Sequence, residues 1–187
     1  AARDVGREVG SALGGAATAA TAGIAGLALG TSDLNNDLAR LRTNASVAGV
    51  GLEEAEVAFE RLFAISGEAD SSVEAVSQLL ASGFQGEELS GVLDNVASAA
   101  IRFSDTLNVE GISDGLQETL TNGSEAAGQF AELLTRSNVD VDAFNETLGG
   151  LSTQAERNTF ALATLNNIGL TETLDTFREL NPEVAAS

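Results

Sequence analysis

Carboxylates are the side chains through which this chain could do chemistry: 28 Asp and Glu stand beside 9 basic residues and no His. The basic residues are all Arg, and Cys, Lys, Met, Trp and Tyr are missing as well. That excludes disulfides, thiolate or imidazole metal ligands, and any nucleophile activated by a His or Lys of this chain. Paired carboxylates can hydrolyse glycosides, but such sites lie in clefts lined with aromatics, and the aromatics here are eight Phe. No catalytic residue, metal site or cofactor is therefore expected. The run Asp140-Val141-Asp142-Ala143-Phe144-Asn145-Glu146 has the alternating acids of a calcium loop. It lacks that loop's Gly at the sixth place and its bidentate Glu, so it reads as helix-capping acids. Glu53, Glu54, Glu87 and Glu88 read as acids of a first helical turn, favoured there by the helix dipole. The Phe residues are spread one or two per predicted helix, the distribution of a core and not of a stacking platform.

The net charge is -19 at pH 7. Arg3 and Arg7 offset Asp4 and Glu8, so all of it lies beyond residue 30. Such a body repels phosphate backbones and anionic bilayers alike, and no direct sequence-specific nucleic-acid binding is expected. Arg as sole base beside so much acid is a bias that a host with high internal salt or GC-rich coding would each produce.

One stretch carries no charge. Val9–Ser32 is built of Gly, Ala, hydroxyl residues and five larger aliphatics. Gly6, Gly10 and Gly14 recur at intervals of four, as do Gly26 and Gly30, with Gly23 between the two sets. A helix with this spacing has one side stripped to backbone, against which another helix can pack closely. Each internal Gly costs on the order of 1 kcal/mol relative to Ala, so such a helix needs a partner. Gly6, Gly10, Gly14, Gly23, Gly26 and Gly30 are the candidate helix-packing and oligomerisation residues. The leading reading is a bundle of copies. A segment that enters a membrane and a poorly ordered linker are the alternatives; the stretch exceeds the ~20 residues of a span, but its few large aliphatics make insertion marginal.

Beyond it the apolar residues recur at three and four, and no stretch alternates with a period of two. The fold expected is all-α: a Gly/Ala-rich N-terminal helix followed by a multi-helix array of short amphipathic helices, oligomeric because many core positions are Ala and the core is thin. Residues 1–31 form the apolar helix, 32–180 an acidic helical domain and 181–187 the start of a further segment of a longer chain, since Asn181-Pro182-Glu183 has the form of a helix beginning. Helix starts are expected at Ser32 or Asp33, at a Ser71-Ser72-Val73-Glu74 capping box, and at Gly86, Asn108, Ser124, Asp140 or Asp142. A second capping box is expected at Thr153-Gln154-Ala155-Glu156 and a further cap at Thr171. Stops are expected at Gly49, Gly67, Gly83, Asn122-Gly123, Gly149-Gly150 and Gly169. The longest apolar stripe runs Leu89, Val92, Leu93, Val96, Ala100, Phe103.

Three segments, FAISGEADSSVEAVSQLLASGFQGEEL from Phe63, RFSDTLNVEGISDGLQETLTNGSEAAGQFAELL from Arg102 and VDVDAFNETLGGLSTQAERNTFALATL from Val139, resemble the N-terminal helical region of tail tape measure proteins of tailed viruses and tail-like particles. The most distinctive piece is FN, a small-residue turn, then TQAERN. The resemblance covers about Val5 to Leu180. It implies a structural protein inside the tail tube that sets tail length and is later ejected to help genome passage across the host envelope. It also implies a homo-oligomer, a trimer above all, with tail tube and tail tip proteins as partners and the host membrane as a partner during ejection. Two departures accompany it: there is no long heptad segment, and the acidity is unusual. Even fully helical, 187 residues would reach about 280 Å, so the measuring portion is expected elsewhere in a longer polypeptide. The rival reading is a secreted helical pore-forming protein or effector.

Overall fold

A computed structural model describes residues 32–182. The chain divides into a unit of residues 1–36 and a compact unit from Asp37 onward. Among the described residues there are nine helices and no strand, as the 3.6-residue periodicity requires. They are α1 (Ser32–Ala48), α2 (Leu52–Ser66), α3 (Ala69–Ala81), α4 (Gly86–Arg102), α5 (Val109–Asn122), α6 (Gly128–Arg136), α7 (Val141–Gly149), α8 (Gln154–Ile168) and α9 (Thr171–Leu180). The expected Gly/Ala helix of residues 1–31, with all six of its candidate packing glycines, lies outside the described residues, as does the helix expected to follow Pro182.

Caps that depend on neighbours in sequence form as expected. Asn108 accepts from the Gly111 N–H and Asp140 from the Ala143 N–H. Thr153 and Glu156 close a reciprocal capping box. The Thr153 N–H, the Thr153 hydroxyl and the Ser152 N–H hold the Glu156 carboxyl below the usual range.

Three expected caps are corrected. The helix assigned to a box at Ser71–Glu74 begins at Ala69, with Glu68 at its N-cap. Ser72, already inside the first turn, turns its hydroxyl back to the Glu68 carbonyl at 2.7 Å, the option a Ser has once the backbone around it is helical. Ser124 does not cap α6, which starts at Gly128; its entry is tied by neighbouring helices instead, the Ala126 N–H donating to Asn145 Oδ1 and the Ala127 N–H to Thr119 Oγ1, both at 2.8 Å. Thr171 is the first residue of α9, not its cap, because Leu170 at the N-cap is itself in a right-handed helical conformation.

Three helix ends share one device. At Gly49, Gly83 and Asn138 the backbone turns left-handed. The following N–H then reaches five residues back, Val50 to Ala45 O, Phe84 to Leu79 O and Val139 to Leu134 O, at 2.9–3.2 Å. This is the Schellman pairing, and it turns the next apolar side chain inward: Val50 and Phe84 are buried. Asn138 is the non-glycine among them, with φ 57°. Asn138→Ala is expected to lose about 1 kcal/mol, the cost of a Cβ in that region without a side chain that bonds locally, while Asn138→Gly is expected to lose nothing; urea midpoints of the two variants check this.

Helices α4 and α5 together form the centre, α4 packing against α2, α5, α8 and α9, and α5 against α3, α4, α6 and α8. Leu89, Val92, Leu93, Val96 and Ala99 of α4 are buried, but the stripe ends before Phe103. That ring caps the helix half-buried, with the guanidinium carbons of Arg102 and Arg136 5.7 and 5.6 Å from its centroid. The Phe set divides accordingly: Phe59, Phe84, Phe130 and Phe144 are buried, and Phe63, Phe103, Phe160 and Phe177 half-buried. The core is less thin than the composition predicts, since Leu, Ile, Val and Phe supply most of its buried side chains and Ala the minority.

Candidate functional site

The acids singled out in the sequence are dispersed by the fold. Asp140 caps α7, and Asn145 of the same run holds the Ala126 N–H. Asp142 and Glu146 are exposed. Glu53, Glu54, Glu87 and Glu88 stand in the first turns of α2 and α4, where Glu54 Oε1 accepts from the Gly86 N–H. Among the described residues no three carboxylates converge as metal ligands. Two carboxylates, Glu68 and Glu110, meet at the Ser71 hydroxyl at 3.2 and 3.0 Å. Elsewhere they pair with Arg: Arg42 with Glu56 at 2.8 Å, Arg40 with Glu74 at 2.9 Å, Arg136 with Asp105 and Glu132 at 3.1 and 3.0 Å. The first two pairs join α1 to α2 and to α3, and Arg136 ties α6 to the turn that follows α4.

Glu60 is the exception in charge. Half-buried on α2, its carboxyl is pushed up by burial, with Glu56 one turn away adding to the effect. A raised carboxyl disfavours the ionised form in the fold, so its cost is present above the folded pKa and is lifted as pH falls through that value. Glu60→Gln is therefore expected to raise the urea midpoint at pH 7 and to leave it nearly unchanged at about pH 3, where the unfolded chain also carries the protonated acid.

A pair of close-packing glycines escaped the sequence reading. Gly111 and Gly115, four apart on α5, receive the start of α6. A Cβ on Gly115 would lie 2.6 Å from the Ala127 carbonyl oxygen and 2.8 Å from the Phe130 nitrogen; one on Gly111 would meet the Gln129 side chain. Thr119, buried one turn on, accepts from the Ala127 N–H and donates to the Gly115 carbonyl. The signal was there, since Gly-x-x-x-Gly is the spacing noted in residues 6–30, but here it serves contact within one chain.

Among the described residues the large apolar side chains left exposed are Val47 of α1, Leu52 and Val57 of α2, and Leu180 of α9. Val57 borders an open groove of about 400 Å³ between α2 and α4, floored by Ala58, Leu89 and Leu93. Leu180 borders another of about 420 Å³ with Ile101 and Phe177. These are surfaces suited to contact with other polypeptides. No helix among the described residues is long and apolar enough to cross a membrane. The chain matches no family model, no curated protein and no solved structure.

Proposed function

We propose that this chain is a structural, non-enzymatic assembly protein: the N-terminal helical region of a tail tape measure protein, held as a homo-oligomer, with three copies favoured, inside a tail tube or at its tip. On this reading it takes part in setting tail length and leaves ahead of the genome, reaching the host envelope. The observation that carries it is the resemblance of residues 63–165, above all Phe144-Asn145 followed by the run from Thr153 to Asn158. Each of those side chains that the fold engages is a joint. Phe144 packs on Phe130 and Phe160, Asn145 holds the Ala126 N–H, Thr153 and Glu156 form a capping box, and Asn158 Nδ2 donates to the Ser82 carbonyl at 2.8 Å. The longest described helices have 17 residues, about 25 Å at 1.5 Å per residue, so the described array is not the ruler on this reading.

The test is the location of the chain. An antibody raised against it is expected to leave intact tails unlabelled, to detect the chain once those tails are dissociated, and to find it lost from ejected tails and recovered with the host envelope; a chain found in host culture medium and absent from dissociated tail particles would overturn the proposal. A chain that releases dye from lipid vesicles but forms no oligomer without lipid would favour the secreted pore-former. Gly10→Leu with Gly14→Leu is expected to abolish oligomers measured by light scattering while keeping the helix content of residues 50–180, because leucine side chains would hold neighbouring helices apart. Unchanged oligomers would remove the role given to these glycines.

A further inference from the structure

We propose that α2 is a self-recognition helix, by which two copies of this chain meet antiparallel about Val57. Three residues of α2 at successive intervals of four, Glu53, Val57 and Arg61, line one groove together with Ala58 and with Leu89 and Leu93 of α4. Each interval is about 6 Å along the helix, so acid, aliphatic and base stand in one row. Val57 is 49 % exposed, and so is Leu52 in the first turn, whereas the groove floor of Ala58, Leu89 and Leu93 is buried. Among the described residues neither Glu53 nor Arg61 has an ion-pair partner, whereas Arg40, Arg42, Arg136 and Arg178 each find a carboxylate; Arg102 and Arg157 lack one too, but Arg102 lies over the Phe103 ring and Arg157 donates to the Leu120 carbonyl. In a chain with 28 acids, a guanidinium left without one on an apolar stripe points to a carboxylate from elsewhere.

A second copy supplies it. A two-fold axis through Val57 sets Glu53 of each protomer against Arg61 of its partner, brings the two Val57 side chains together over the groove, and closes the contact so that no filament grows. A parallel alignment would set Glu53 against Glu53 and is excluded by repulsion. One helix row is a small contact, at the weak and transient end of protein interfaces, so the experiment traps it. The inference is independent of the tail-protein reading.

The chain has no Cys, so a single introduced one reports its own surroundings. Full-length Val57→Cys is oxidised mildly and its disulfide-linked dimer followed on a non-reducing gel, with Val47→Cys, 85 % exposed on α1, as the control for random collision and for any association through the N-terminal segment. Val57→Cys is expected to link at least about ten-fold faster than Val47→Cys. Adding Glu53→Arg should bring its rate down to the control, and adding Arg61→Glu to that variant should restore it, because only the two-fold contact pairs position 53 with position 61 of another copy. Equal rates for the two cysteines, or a charge swap that fails to restore linking, overturns the proposal.

Discussion

Gly115→Ala is expected to cost about 3 kcal/mol and to lower the melting temperature by roughly 6–12 °C, for one added methyl group. The methyl would sit 2.6 Å from the Ala127 carbonyl oxygen and 2.8 Å from the Phe130 nitrogen. These are backbone atoms, and they are tied: the Ala127 N–H to Thr119, the Ala126 N–H to Asn145. No rotamer change relieves the overlap, so the start of α6 must retreat from α5, drawing the fully buried Phe130 partly out of the core. Two controls separate this from a general effect of glycine replacement. At Gly111 the added methyl meets the Gln129 side chain, which can swing away and lose its bond to the Asn108 N–H, a cost of about 1 kcal/mol. At Gly149, the last residue of α7, nothing lies within 4 Å, and alanine is expected to stabilise by up to about 1 kcal/mol through its helix propensity. Thermal melts of the three variants give the order directly. Gly115→Ala melting with Gly149→Ala would mean that α5 and α6 do not approach this closely.

Phe144→Ala is expected to cost about 3–5 kcal/mol. The ring is 3 % exposed, stacked on Phe160 with centroids 5.0 Å apart and edge-on to Phe130 at 5.8 Å, so three helices, α6, α7 and α8, share it. Helix α7 has nine residues and buries two side chains, Phe144 and Leu148. Without the first, its hold on the rest is halved, and the loss should be regional. Hydrogen exchange is expected to show α7 and the entry of α6 opening well below the global unfolding energy, while α2 and α3, whose core is built on Phe59, Leu62, Val76 and Leu79, keep their protection. Phe144→Leu should recover most of the loss. A uniform loss of protection over all nine helices would show that the cluster is not a local joint.

How far these features were legible depended on the distance in sequence between the two halves of each interaction. The caps at Asn108, Asp140 and Thr153 could be read because side-chain acceptor and backbone donor are three residues apart, and the same local geometry makes any such pair meet. The entry of α6 could not: its N–H groups go to Thr119 and Asn145, and Ser124 looked like a cap only because no neighbour in sequence offered a better one. The acids of that run were legible for the same local reason, Asp140 capping α7 as read. Asp140 to Glu146 pack negative charge into seven residues, yet helix formation turns successive side chains by about 100° and disperses them. Glu60 looked like any other acid, and its burial depended on how α2 lies in the body.

By itself the sequence determined that this protein is helical, where most helices stop, and that its available side chains are carboxylates and guanidiniums without imidazole, thiol or amine. Periodicity, capping and composition are properties of a short window or of the whole chain, and neither needs to know which helices touch. The tertiary structure alone decided that α4 and α5 form the centre, that Gly115 rather than a larger residue can face α6, that Phe103 leaves the core while Phe84 enters it, and that Glu53, Val57 and Arg61 line an exposed groove. Those are facts about which surfaces meet, and a contact between residues far apart in sequence is selected by the packing of all the helices at once.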